Sequence, residues 1–324
     1  MSDPVDRGIN TLFTGASPGF HLLGEVVRKM RAEVESEATH GRLGLNVPYG
    51  WWPSAPLLKG LEAGGFGWVQ IPSPPESILA SPRECLTMAR AAAASLATTD
   101  LEAVVHAPTG LRVGSPRADR SFEGALAYAD ELGAEIVVYH ARDLADERAS
   151  QDPQLAETRS LGRLAARAEQ LGVLIALENL APFYPGPEHL SHTPMVLRTL
   201  VHRLSSPSVG LCLDLGHAHV VSDLRHSDLR ELIEPVLDCA VLFHLHDNLG
   251  ARRGRRAAPE LDPLCLDLHL APGRGTLPWA KLASRLRDHA APLMLEVHPP
   301  HRGTPEKLFL AATEALGLRM SVIA

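Results

Sequence analysis

Short apolar runs in this chain repeatedly end on a residue able to ligate a metal: His106, His140, Glu178, Asp214, His217, His244, Asp267, His269 and Glu296. The run Leu-Glu-Ala-Val-Val before His106, or Leu-Ile-Ala-Leu before Glu178, reads as a strand buried on both faces, as in a parallel sheet covered by helices. A polar residue then stands at the strand's end. In a closed barrel of eight such strands the reactive groups come from the carboxyl ends, so positions scattered along the chain converge on one cup.

The rest of the sequence fits that arrangement. Strand patterns fall at about 42–47, 68–71, 102–106, 135–140, 173–178, 209–214, 240–246 and 292–297. Between them, stretches rich in Ala, Leu, Arg and Glu at 82–96, 121–132, 159–171, 194–204, 227–237, 279–289 and 305–316 predict helices. The fold class expected is α/β, a single (β/α)8 barrel over residues 42–324. Residues 1–41 form an N-terminal extension, partly helical over 22–37. The joint between His246 and Trp279 holds the chain's one concentration of positive charge, Arg252, Arg253, Arg255 and Arg256, and is expected to be a loop over the site.

A length of 324 residues is enough for one large barrel, and a formal net charge of -7 leaves no general basic footprint for nucleic acid. Cys85, Cys212, Cys239 and Cys265 show no Cys-x-x-Cys spacing, and the start Met-Ser-Asp-Pro-Val-Asp has no apolar secretion segment, which points to a reducing cytoplasm. No apolar stretch approaches the roughly 18–20 residues needed to cross a bilayer, so no membrane partner is expected.

The 16 histidines matter because neutral imidazole is the commonest metal ligand. Glu178, Asp214, His244 and Glu296 end the fifth to eighth strands and could enclose one ion with positions open to water and substrate. His106, His140, His217, Asp267 and His269 remain as ligands for one or two more, with Glu178 able to bridge. A lone strand-end carboxylate or histidine is more often a loop anchor or a salt-bridge partner. Several together at buried strand ends are costly unless a cation or strong donors compensate them. Mn²⁺ and Mg²⁺ favour the carboxylate-rich set, and Zn²⁺ accepts His with carboxylate. His219 and His246 each lie two residues from a proposed ligand and so could share its face. Phe183 and Tyr184, after the fifth strand, are candidates for a substrate wall, the loop arginines for a phosphate clamp, and the cysteines for structural roles.

The segments Val-Val-His106-Ala-Pro, Tyr-His140, Leu-Glu178-Asn179, Cys-Leu-Asp214-Leu-Gly-His217, Phe-His244-Leu-His-Asp247-Asn, Asp267-Leu-His269-Leu-Ala-Pro-Gly-Arg-Gly-Thr-Leu-Pro-Trp279 and Leu-Glu296-Val resemble the xylose-isomerase-like TIM barrel superfamily over about residues 42–320. That superfamily includes sugar phosphate isomerases and epimerases and endonuclease IV, of AP endonuclease family 2. In the isomerase branch, the resemblance implies one Mn²⁺, Mg²⁺ or Co²⁺ held at Glu178, Asp214, His244 and Glu296. The two glutamates would exchange protons with a hydroxy-keto substrate through an enediolate, while His217 steadies the oxyanion. In the endonuclease IV branch, all nine positions would hold three Zn²⁺ ions for phosphodiester hydrolysis.

The departures favour the isomerase branch. After Glu178-Asn179 the nuclease pattern continues Ala-Gly-Gln-Gly, where this chain reads Leu180-Ala-Pro-Phe-Tyr-Pro. Ketohexose 3-epimerases carry a glutamate and an arginine where this chain has Tyr184 and Gly250, which argues against a simple ketohexose substrate. The function expected is a divalent-metal-dependent isomerase or epimerase of a sugar-like small molecule, using one ion and at most three, with a homo-oligomer as one arrangement open to it. A zinc-cluster phosphoesterase acting on nucleic acid, and a metal-dependent lyase or dehydratase, are the alternatives.

Overall fold

A computed structural model describes residues 39, 41–141, 153–182, 190–251 and 266–318. Eight parallel strands close into a barrel in sequence order: β1 (Leu43–Asn46), β2 (Trp68–Pro72), β3 (Glu102–His106), β4 (Ile136–His140), β5 (Leu174–Glu178), β6 (Val209–Asp214), β7 (Ala240–Leu245) and β8 (Leu293–Leu295). The ring is completed by pairing of β1 with β8, Gly44 opposite Met294. The connecting helices are α1 (Ala55–Ala63), α2 (Glu76–Leu79), α3 (Pro82–Leu96), α4 (Pro116–Leu132), α5 (Pro153–Leu171), α6 (Pro194–Leu204), α7 (Leu215–Leu224), α8 (Leu229–Ile233), α9 (Trp279–Asp288) and α10 (Pro305–Ala315).

Local sequence explains where helices begin. Proline occupies the first turn of α1, α3, α4, α6 and α10, where its fixed φ suits a helix and its missing N–H leaves no bond unmade. Ser115 caps α4 by accepting from the Ala118 amide, and Gly133 closes that helix at φ 79°, a left-handed conformation glycine adopts without cost. The expected helix over 227–237 is two pieces, α8 and a 3-10 turn at Glu234–Cys239, because Pro235 cannot donate to the helical ladder. Helices α1, α2 and α7 were not anticipated. The start of α7 directly at the end of β6 matters most for the site.

Period-two alternation divides the strand residues between two cores. Outward side chains such as Leu45, Val105 and Leu213 pack under the helices in the larger cluster. Inward ones, Trp68, Val104, Ile136, Val138, Ala176, Cys212, Leu242 and Met294, fill the barrel itself. Gly44 makes that filling fit, since a Cβ there would stand 2.7 Å from the Met294 side chain and 2.8 Å from Trp68 Cβ. Two residues further along each strand, on the same inward face, come Asn46, Gln70, His106, His140, Glu178, Asp214, His244 and Glu296. An apolar plug therefore carries one polar layer on its carboxyl end.

Among the described residues no helix is long and apolar enough to cross a membrane. Apart from Thr39 and Gly41, the expected N-terminal extension lies outside the described residues, as do Phe183, Tyr184, Cys265 and the four arginines of the 252–256 loop.

Candidate metal centre

The structure gathers all nine candidate residues at the carboxyl end of the barrel, in three adjoining groups that share side chains or contacts. His106, His140 and Glu178 form one, Glu178, Asp214, His244 and Glu296 the second, and His217, Asp267 and His269 the third, with His246 within the same ligand reach. Glu178 joins the first two. Its Oε2 lies 3.3 Å from His106 Nε2 and 3.2 Å from His140 Nε2, and its Oε1 lies 3.1 Å from His244 Nδ1.

Three of the nine do not sit where alternation places them. His217 is in the first turn of α7, not on a strand, and Asp267 and His269 belong to the connection between β7 and α9. That connection is pinned by an antiparallel bridge between Asp247 and Leu270, and His269 takes a left-handed φ of 47°, a strained conformation for a side chain with a Cβ. The two-residue rule for sharing a face also fails for His219, because on a helix such residues point apart. Its Nε2 instead meets Thr276 Oγ1 at 3.0 Å.

Hydrogen bonds from one ring nitrogen fix which nitrogen of each imidazole faces the cluster. A carbonyl can only accept, so His217 Nδ1 donates to Asn179 O at 2.7 Å and His269 Nδ1 donates to Glu296 O at 2.8 Å. His106 Nδ1 likewise donates to Ala107 O at 2.7 Å. In each ring Nε2 is left for the cluster, an outer support typical of imidazoles that ligate metals. His244 is turned the other way. Its Nε2 meets Gln70 Oε1 at 2.8 Å and its Nδ1 faces Glu178, Glu296 Oε2 at 3.4 Å and Asp214 Oδ2 at 3.8 Å.

These residues fit a cation. Two ligands on one ion with bonds near 2.0–2.1 Å and tetrahedral angles stand about 3.3–3.5 Å apart, and several pairs here lie close to that spacing. Asp214 adds a second indication. Its Oδ1 accepts from the His217 amide at 2.7 Å and from His246 Nε2 at 3.1 Å, while its Oδ2 is buried with no hydrogen-bond partner among the described residues. A buried carboxylate oxygen in that state calls for positive charge. His246 holds Asp214 rather than joining the third group. Its ring is stacked on His269 at 3.9 Å with planes only 13° apart, and an ion cannot lie in both of two parallel ring planes. The rings of His217 and His269 cross at 80° and those of His106 and His140 at 83°, which suits convergence on a shared point.

The electrostatics agree. Burial pushes the Glu178 carboxyl up, but His244, His140 and His106 outweigh it and hold it well below the usual carboxylate range. Glu296 is lowered too, His244 overcoming burial. Burial lowers His244, yet Glu296 and Glu178 push it up to about 9, and Asp267 does the same for His269, also to about 9. The carboxylates thus create a strong demand for positive charge, which protons or metal ions can meet.

A family model described as xylose isomerase-like TIM barrel matches residues 59–316. The chain belongs to that family. As a xylose isomerase-like barrel it is 24% identical over 198 residues to the uncharacterized protein MJ1311 of Methanocaldococcus jannaschii, a match spanning 58% of this chain and 61% of that protein. Among solved structures it resembles a D-tagatose 3-epimerase-like protein, at 20% identity and a TM-score of 0.64 over 85% of this chain and 97% of the other. It also resembles the 3-keto-D-glucoside 4-epimerase YcjR from E. coli, at 14% identity and a TM-score of 0.61 over 85% and 98%. At these identities the likeness is one of fold.

Several residues that support this xylose isomerase-like site were not singled out from sequence. Gln70 donates from Nε2 to Glu296 Oε1 while its own Oε1 meets His244. Asn179 pairs with the Asp214 backbone, donating to its O and accepting from its N, each at 2.9 Å. Tyr49 brings its hydroxyl to 2.9 Å from His106 Nδ1. Gln70 was findable, since it stands two residues after the interior Trp68 in a strand. The others depend on loop paths that alternation does not encode.

Proposed function

We propose that this chain is a divalent-metal-dependent isomerase or epimerase acting on a sugar or sugar-like hydroxy-keto substrate. The observation that carries the reading is the pair of buried carboxylates, Glu178 and Glu296, facing one imidazole nitrogen, His244 Nδ1, at 3.1 and 3.4 Å. They rise from β5 and β8, different sides of the closed barrel, so a substrate carbon over the cup has a carboxylate to either side. The family and the epimerase folds it resembles point the same way.

Glu178, Asp214, His244 and Glu296 would hold the ion. A divalent cation there supplies Lewis acidity, lowering the pKa of a C–H next to a carbonyl. The remaining chemistry belongs to the side chains. One glutamate, ionised because its pKa is depressed, takes the proton from carbon. The other, held ionised in the same way, takes up a proton from solvent and delivers it to the neighbouring carbon for isomerisation or to the opposite face for epimerisation. Gln70 orients Glu296 for that transfer. His217, with Nδ1 committed to Asn179, keeps Nε2 for a cation or a substrate oxygen.

The experiment is uptake of solvent deuterium into a panel of ketoses by metal-loaded protein, with Glu178→Gln and Glu296→Gln beside it. Each substitution should lower exchange by at least about 10²-fold, since each removes a ligand and an acid/base group together. Near-normal exchange in either variant would end the proton-transfer reading.

Phosphodiester hydrolysis at a zinc cluster is the second reading, favoured by one observation: Asp267 and His269 complete a third donor group with His217, and neither has a part in a single-ion mechanism. Elemental analysis separates the two. About one ion per chain, kept in His269→Ala and lost in Glu296→Ala, supports the isomerase. Two or three zinc ions, fewer in His269→Ala, support the hydrolase.

A further inference from the structure

A cavity of about 290 Å³ opens beside the first and third donor groups, bounded on that side by His140, His217 and Asp267. Its lining also includes Thr109 and Arg112, from the loop between β3 and α4, and the apolar Leu180, Ala181 and Pro182. Arg112 is half-buried, and its Nη1 donates to Thr109 O at 2.8 Å and to Leu111 O at 3.1 Å. Among the described residues, Nε and Nη2 make no hydrogen bond and the guanidinium has no carboxylate partner.

That division of labour within one guanidinium is informative. Nε and Nη2 form the side edge that grips a carboxylate or phosphate through two parallel N–H···O bonds. In Arg302, also at the carboxyl end of the barrel, this edge is spent on the protein itself, Nε on Val297 O at 2.7 Å and Nη2 on Asn46 Oδ1. Arg198 and Arg230 spend it on Asp238 and Asp228. Among the described residues Arg112 is instead anchored by Nη1 alone, which leaves the fork without a partner on a residue that lines a cavity next to the candidate metal centre.

We propose that Arg112 is a specificity-determining residue that receives an oxyanion of the substrate, a phosphate ester or a carboxylate, and that the substrate is therefore an acidic sugar derivative rather than a neutral sugar. This deepens the reading given under the proposed function, because it names the substrate class of the same cup. The end lined by His140 and His217, which both approach Glu178 of the proposed ion site, takes the hydroxy-keto end of the molecule, the apolar side covers its carbon chain, and the fork of Arg112 takes the anion.

The test is calorimetric titration of metal-loaded protein with inorganic phosphate, D-fructose 6-phosphate and D-glucuronate, comparing wild type with Arg112→Gln and Arg112→Lys. Arg117→Gln, an exposed position on α4, serves as the charge control. A charge-assisted fork is expected to make binding at least about 10-fold weaker in Arg112→Gln. Arg112→Lys, which keeps the charge but loses the fork, should fall between, and the control should match wild type. Arg112-dependent binding of the phosphates alone identifies a phosphate ester, and of glucuronate alone a carboxylate; both outcomes support the proposal. Equal affinities in wild type and Arg112→Gln, or no binding of any of the three anions to wild type, would overturn it. The proton-transfer reading fails separately: loss of deuterium exchange with Arg112-dependent binding intact sinks the isomerase and spares Arg112.

Discussion

At the scale of single residues, the cup works by leaving chosen atoms unsatisfied. Asp247 shows the contrast. Like Asp214 it is a buried aspartate near a strand end, but its Oδ1 accepts from the Asn248 and Leu277 amides and its Oδ2 from the Gly273 amide and Trp279 Nε1. It has nothing left to offer a metal, and its work is to hold the 270–279 loop. The donor set also fixes a pH dependence. In metal-free protein His244 and His269 are pushed up to about 9, so at neutral pH a metal must displace their protons to bind. Affinity at the group holding His244 should therefore rise about tenfold per pH unit as pH rises toward about 9 and level off above, and it should rise more steeply at the third group, where His217 is raised as well as His269. Chelator competition across that range measures it, and a flat profile would contradict the imidazole assignments.

At the scale of elements, the polar layer depends on two joins the strand pattern does not reveal. Helix α7 starts at Leu215 with Asp214 as its cap, so the same carboxylate that starts the helix offers its other oxygen to the cluster. Gly216 keeps this turn clear, since a Cβ there would stand 2.2 Å from the His246 ring. On the outer face α4 packs closely on α2, where a Cβ at Gly124 would stand 2.0 Å from Leu79 O. Gly124→Ala should destabilise the fold by about 1–3 kcal/mol, because backbone cannot yield as a side chain can. Gly162→Ala in α5, where the nearest atom is Leu204 Cδ2 at 4.0 Å, should be neutral or stabilising by up to about 1 kcal/mol. Urea unfolding of the two variants would show it, and equal midpoints would mean α4 can shift away from α2.

At the scale of the whole molecule, closure of the barrel brings together the carboxylates of β5, β6 and β8 and the imidazoles of β3, β4 and β7. Their mutual burial is costly, and a cation bound only by the folded state would offset it. Metal at about 1,000 times its dissociation constant should add about 4 kcal/mol to unfolding free energy. A calorimetric scan should show a higher Tm with excess metal than with chelator. An unchanged Tm would mean the carboxylates are balanced by protons alone.

The sequence by itself determined the strands, their order and the polar residue at the end of most of them. A strand buried on both faces must be apolar, and a barrel's strand ends must face one cup. For the same reason it marked His106, His140, Glu178, Asp214, His244 and Glu296 as candidates for one cup, whereas His217, Asp267 and His269 reach that cup from α7 and from the connection after β7. Tertiary structure alone decided how they are divided. That Glu178 is shared, that His246 supports Asp214 instead of joining the third group, and that Asp247 is an anchor all depend on ring planes and loop amides. So does the edge of Arg112 that has no partner among the described residues. Period and spacing say which face a residue is on. Which of its atoms remain unpaired is set by neighbours far away in the chain.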